Sequence, residues 1–150
     1  MKRKTTIITI LLFTFINLIH AQSNHSIGMA SGGVYLADDK IVAPGILLQY
    51  DYSLPIKTEG FSLEAAIENV FTDERHFAFG IGLGYNFYKN FDLSLGPGIV
   101  FHGNDLLYMI HSGISYDVIS GKYSLGPMFE YSYIGKYSHY MLGISFGIQL

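Results

Sequence analysis

From Phe77 to Phe101 the chain reads FAFGIGLGYNFYKNFDLSLGPGIVF. Large apolar residues recur at every second position, and most of the residues between them are small. A period of two puts alternate side chains on opposite faces of an extended strand. One face of the first half carries Phe77, Phe79, Ile81, Leu83, Tyr85 and Phe87; the other carries Ala78, Gly80, Gly82, Gly84, Asn86 and Tyr88. In the second half, Phe91, Leu93, Leu95, Pro97, Ile99 and Phe101 oppose Asp92, Ser94, Gly96, Gly98, Val100 and His102. The C-terminal segment repeats the rule, with Tyr140, Leu142, Ile144, Phe146, Ile148 and Leu150 against Met141, Gly143, Ser145, Gly147 and Gln149.

Extending this reading gives eight strand segments, roughly 27–37, 44–54, 61–70, 77–88, 91–102, 106–117, 122–133 and 139–150. Most are longer than the usual globular strand of about 5–6 residues. The connections are short, and Lys89-Asn90 is the clearest two-residue hairpin, since Asn tolerates positive φ. The first segment, IGMASGGVYLA, alternates too weakly for its faces to be assigned. SLGP occurs in DLSLGPG and again in YSLGPMF, which suggests two hairpins built alike. Pro97 and Pro127 fall mid-strand and each removes a ladder donor, so local bulges are expected there.

The two faces decide between architectures. Of 150 residues, 49% are hydrophobic and only 14% charged, against about 25% charged in ordinary soluble domains. A soluble barrel would hide the apolar face and expose a surface rich in Gly and poor in Lys and Arg, an odd surface for water. The inverted arrangement accounts for both: apolar residues meet lipid, aromatics mark the interfaces, and small or polar residues face a narrow lumen. A strand of about 11 residues at roughly 3.3 Å each, tilted by about 40°, rises about 28 Å. That matches the apolar band of about 25 Å in transmembrane barrels. Lipid offers no partner to an open sheet edge, so the sheet must close. The expected fold is all-β, an eight-stranded antiparallel up-and-down transmembrane β-barrel. A soluble secreted barrel binding an apolar ligand inside is the inside-out alternative.

The N-terminus, MKRKTTIITILLFTFINLIHAQ, places Lys2, Arg3 and Lys4 before an apolar stretch from Ile7 to Ile19 and a small residue at Ala21. This order is that of a secretory signal peptide over 1–21, leaving 22–150 as one barrel domain. Cleavage leaves six basic against twelve acidic residues, a net charge of −6, which argues against nucleic acid as a partner. There is no Cys, which excludes disulfides, thiolate metal sites and a lipid-anchored N-terminus.

Signal sequence, pattern and strand number together resemble the small OmpA/OmpX-like outer-membrane barrels of Gram-negative bacteria, over all of 22–150. The C-terminal YMLGISFGIQL resembles the family's insertion signal, with Tyr140, Phe146 and Ile148 in phase, but ends in Leu150 where the signal ends in an aromatic. The resemblance implies a cell outer-membrane location and a monomer. It implies two partners, outer-membrane lipid and, through the last strand, the outer-membrane insertion machinery. Members are variously structural, adhesive or lipid-modifying. The outer loops 38–43, 71–76, 103–105 and 134–138 are too short for an adhesive surface, and FTDERH reads as a solvated charged turn.

Candidates for chemistry lie on the inward face. Asp51, Glu64, Glu68, Asp92, Glu130, His102 and His111 point there, with Lys122 the only inward strand-borne base. Glu64, Glu68, Glu130, His102 and His111 form the expected lumenal polar cluster. A cation-favouring or metal-binding lumen would use Glu68, Glu130 and the two His in the outer half. The favoured reading is a hydrated polar plug, with no dedicated metal set and no cofactor. His111-Ser112 invites a hydrolase, but neighbours in a strand point to opposite faces, and the His-x-Ser-Asn stretch of lipid A deacylases on this scaffold is missing. The expected function is therefore a structural or envelope-maintenance barrel that is not an enzyme. A narrow cation-favouring pore is the alternative.

Overall fold

The computed structural model describes residues 24–55, 60–135 and 137–150, with Arg75 as backbone only. The expected signal peptide lies outside these residues. Nine strands follow in order: β1 (His25–Leu36), β2 (Ile41–Ser53), β3 (Phe61–Phe71), β4 (Arg75–Tyr88), β5 (Phe91–His102), β6 (Asp105–Tyr116), β7 (Val118–Ser120), β8 (Tyr123–Ile134) and β9 (Tyr137–Gln149). β1 to β6 pair antiparallel in sequence order, as do β7, β8 and β9; β1 pairs with β9, and β8 pairs with both β6 and β7. The sheet is thereby a closed barrel of eight staves, β6 and β7 being two parts of one. Val118–Ser120, expected within a turn, extends that stave instead.

The two mid-strand prolines create gaps rather than bulges. Along β4 and β5 one register holds from His76↔His102 to Asn86↔Asp92, but Ile81 and Gly82 have no ladder pairing opposite Gly96-Pro97. The β8 register is likewise unchanged between Ser115↔Met128 and Val118↔Leu125, with Tyr116 and Asp117 unpaired opposite Gly126-Pro127. The Asp117 N–H turns away and donates to Asn90 O at 2.8 Å. At both gaps the preceding strand's carbonyl, of Ile81 or Tyr116, closes on the glycine α-carbon where any β-carbon would collide. The serine of each SLGP also opposes a glycine on the following strand, Ser94↔Gly113 and Ser124↔Gly147. The repeated tetrapeptide is one device used twice.

The register shift in β4 and β5 sits instead at Phe87, between Asn86 and Tyr88. It turns Tyr88 outward, against the simple alternation. In the Lys89-Asn90 turn the left-handed residue is Lys89, not the asparagine. β1 acquires faces from its neighbours: Ala30, Val34 and Leu36 are buried within, while Ile27, Met29 and Tyr35 are exposed. Its middle reads weakly because both Gly32 inside and Ser31 and Gly33 outside are small.

The outer surface is apolar on every stave. Met29, Leu48, Ile67, Leu83, Leu95, Ile110, Leu125 and Leu142 are all exposed. Aromatic rings pair near both ends: Phe61 with Tyr85 and Phe91 with Tyr116 at the end holding the termini, and Phe77 with Phe101 and Tyr131 with Tyr140 towards the other. The interior is filled unevenly. From mid-barrel to the end away from the termini the lumen is filled by two apolar clusters, one with Val34, Leu36, Val70 and Met141 and one with Ala78, Val100, Met109 and Ile134, together with buried polar side chains such as Glu68, His111 and His139. The remaining half is open and polar.

Candidate functional site

The open half is a cup of about 400 Å³ reached from the end that carries the termini. Asp51, Glu64, Asp92 and Asp117 line it, and Ala30, Leu47 and Met128 form its floor. Neutral donors hold three of the carboxylates. Gln49 Nε2 and Ser26 Oγ donate to Asp51 at 2.7 and 3.2 Å, Asn86 Nδ2 donates to Asp92 at 3.0 Å, and Ser145 Oγ donates to Asp117 at 3.2 Å. Lys122 lies in the turn before β8 rather than on a strand, at the mouth of the cup, with its ammonium 5.5 Å from the Tyr123 ring centre.

The five residues expected to share one polar cluster are distributed along the axis. Glu64 belongs to the cup. Glu130 also borders the cup, at its buried end, and accepts a bond from Ser132 Oγ at 3.3 Å. His111 is buried beside Gly80, with Nε2 3.4 Å from Ile81 O. Ser112 lies on the opposite face of β6, so the two form no nucleophile–base pair. Glu68 and His102 stand at the far end, joined through two histidines that the sequence reading did not select.

Those two are His76, at the start of β4, and His139, near the start of β9. His139 Nε2 lies 3.1 Å from Glu68 Oε2. The His76 ring packs edge-on against His139, centroids 5.2 Å apart, and its Nδ1 lies 3.3 Å from His102 Nδ1. His102 Nε2 in turn lies 3.6 Å from Glu74 Oε2 at the exposed rim. A chain of polar side chains thus runs from the surface to Glu68. Glu68, His76 and His139 are 2%, 3% and 1% exposed. One atom of each, Glu68 Oε1, His76 Nε2 and His139 Nδ1, is buried without a hydrogen-bond partner. Beside them is a void of about 20 Å³, bordered by His76, His102, His139, Leu107, Ile134 and the loop residues Asp38 and Asp39.

Both missed histidines sit at strand edges. His76 was read as the end of a solvated turn; Asp73 and Glu74 are exposed as that reading expects, but β4 begins earlier and carries His76 inward. His139 shares the phase of Met141 and Gly143, so continuing the inward set of β9 by one step towards its start would have found it.

No family model matches this chain, and no curated protein matches it. Solved structures do. The N-terminal β-barrel domain of Pseudomonas aeruginosa OprF superposes with a TM-score of 0.64 at 12% identity, over 86% of this chain and all of that one. A barrel from the de novo design of transmembrane β-barrels gives 0.60 at 15% identity, over 85% and 98%. Neisserial surface protein A gives 0.52 at 11% identity, over 84% and 96%. At such identities the likeness is one of fold, a closed eight-stranded β-barrel.

Proposed function

We propose that this chain is a small integral outer-membrane barrel with a structural, envelope-maintenance role, and that its lumen is closed to passive flow. The observation that carries the reading is the division of its surfaces. The outside is a continuous apolar band with aromatic rings towards both ends, the arrangement lipid requires. Half of the inside is filled by buried side chains, apolar ones such as Val34, Val100, Met109 and Met141 and polar ones such as Glu68, His76, His111 and His139. A water-filled pathway would have to displace those buried side chains, which argues against the narrow cation pore despite the acidic cup. The exposed band argues equally against a soluble barrel with an apolar interior, since so much exposed apolar surface drives association in water. Outer-membrane lipid is the partner of the outer face, and the insertion machinery would act through β9. The chain functions as a monomer, and its termini face the periplasm.

Fractionation tests the membrane assignment. The mature chain is expected to begin at Gln22 and to be released by detergent but not by high salt. Recovery without detergent would defeat it. In planar bilayers the purified barrel is expected to give no steady current, and cation-selective steps would favour the pore. A deletion strain is expected to show its phenotype under envelope stress, and normal growth there would remove the maintenance role.

A further inference from the structure

We propose that Glu68, His76 and His139 form a binding site for one divalent first-row transition metal ion on the barrel axis. Three observations converge on it. The staves bearing His76 and His139 lie four apart in the eight-stave ring, directly opposite one another, while Glu68 comes from β3 beside β4. Three ligand atoms, one from each residue, nevertheless all lie within 4.8 Å of one another. Each side chain also keeps one polar atom buried without a partner. A buried polar atom of this kind costs about 1–3 kcal/mol, and here three occur in a single contact group.

The donor set selects the ion class. Two imidazoles and one carboxylate suit Zn²⁺ and its neighbours, whereas Ca²⁺ and Mg²⁺ require oxygen ligands. The adjoining void of about 20 Å³ has room for one water, which needs roughly 10–15 Å³. That water is a natural further ligand. Asp38, Asp39 and Glu74 place negative charge around the approach from the loop end, which favours cation arrival. His102 contacts His76 from the rim side and would orient its ring, as outer partners of metal-bound histidines do.

The test uses the untagged barrel in detergent micelles, stripped with a chelator and titrated with Zn²⁺ against a chromogenic competitor. One Zn²⁺ per chain is expected, undisturbed by excess Ca²⁺ or Mg²⁺. His139→Asn is expected to weaken binding by at least about 100-fold, the upper range for loss of an outer partner. His25→Asn is expected to change nothing, because His25 lies at the opposite end against Tyr50 and Tyr52. Should His139→Asn not fold, the ring nitrogen resonances of the unmodified protein decide the matter: Zn²⁺ must shift those of His76 and His139. The site is overturned by a protein that takes up no Zn²⁺, by undiminished uptake in His139→Asn, or by shifts confined to His25.

Discussion

The backbone carbonyl of Ile81 is pressed against the α-carbon of Gly96 so closely that no β-carbon fits between them. Glycine is required here by the wall of the neighbouring strand, not by the width of the lumen. Gly96→Ala is therefore expected to destabilise the barrel by about 1–3 kcal/mol or more, the range for forced overpacking. Gly28→Ala is the control. Its β-carbon would meet Phe146 O at 3.8 Å and Gln49 Cβ at 3.9 Å, so a change within about 0.5 kcal/mol is expected. Reversible urea unfolding in lipid vesicles compares the two, and equal effects would refute the account.

Leu83 and Gly82 are neighbours in sequence on opposite faces. Leu83 is 54% exposed, and a β-carbon on Gly82 would lie 2.9 Å from Leu95 O. Leu83→Arg is expected to cost roughly 2–4 kcal/mol, as Arg does at a bilayer midplane. Leu83→Phe is expected to be mild and Gly82→Phe severe. The same vesicle experiment reads all three. A neutral Gly82→Phe with a damaging Leu83→Phe would exchange inside for outside.

The Glu68–His139 pair gives a prediction for the metal-free protein. Removing one member strands a buried partner, so His139→Leu alone is expected to cost about 3–5 kcal/mol. Adding Glu68→Leu is expected to recover most of that, because paired apolar replacements of buried ions are often neutral or stabilising. A double-mutant cycle measured in chelator checks it, and additive losses would show that the two side chains do not act as a pair.

Met141 is fully buried in an apolar cluster inside the barrel, whereas its neighbour Leu142 is 68% exposed. Met141→Ala is expected to leave a cavity and cost about 2–5 kcal/mol. Leu142→Ala leaves none, and its smaller loss is confined to contact with lipid. Comparable losses at the two positions in vesicle unfolding would contradict the described faces.

Much of this molecule was legible because a barrel strand is governed by a local rule. The alternation of Phe77 to Phe87 needs only the period of two to be read, and strand ends follow wherever the turn chemistry is plain. The reading failed where the rule is locally silent. Ser31, Gly32 and Gly33 are small on both faces. Phe87 interrupts the count and turns Tyr88 outward. Asn90 was the better residue by propensity for positive φ, yet the turn geometry places it on Lys89. Pro97 and Pro127 could be seen to lack a donor, but a missing donor does not say whether the partner strand slips or merely parts.

By itself the sequence determined that this chain closes a sheet with a greasy outside, because side-chain parity is carried by the backbone of each strand separately. It also determined that carboxylates and histidines would face inward. Which of them meet was decided only by the closed ring. Glu68 and His139 are 71 positions apart, and His76 faces His139 from the opposite wall. Those distances depend on the register of every intervening pair and on the approach that glycines such as Gly96 permit. The same closure leaves Glu64 in the open cup and buries Glu68, although both lie on the inward face of β3, because packed side chains fill one half of the lumen and only the other half is left to water.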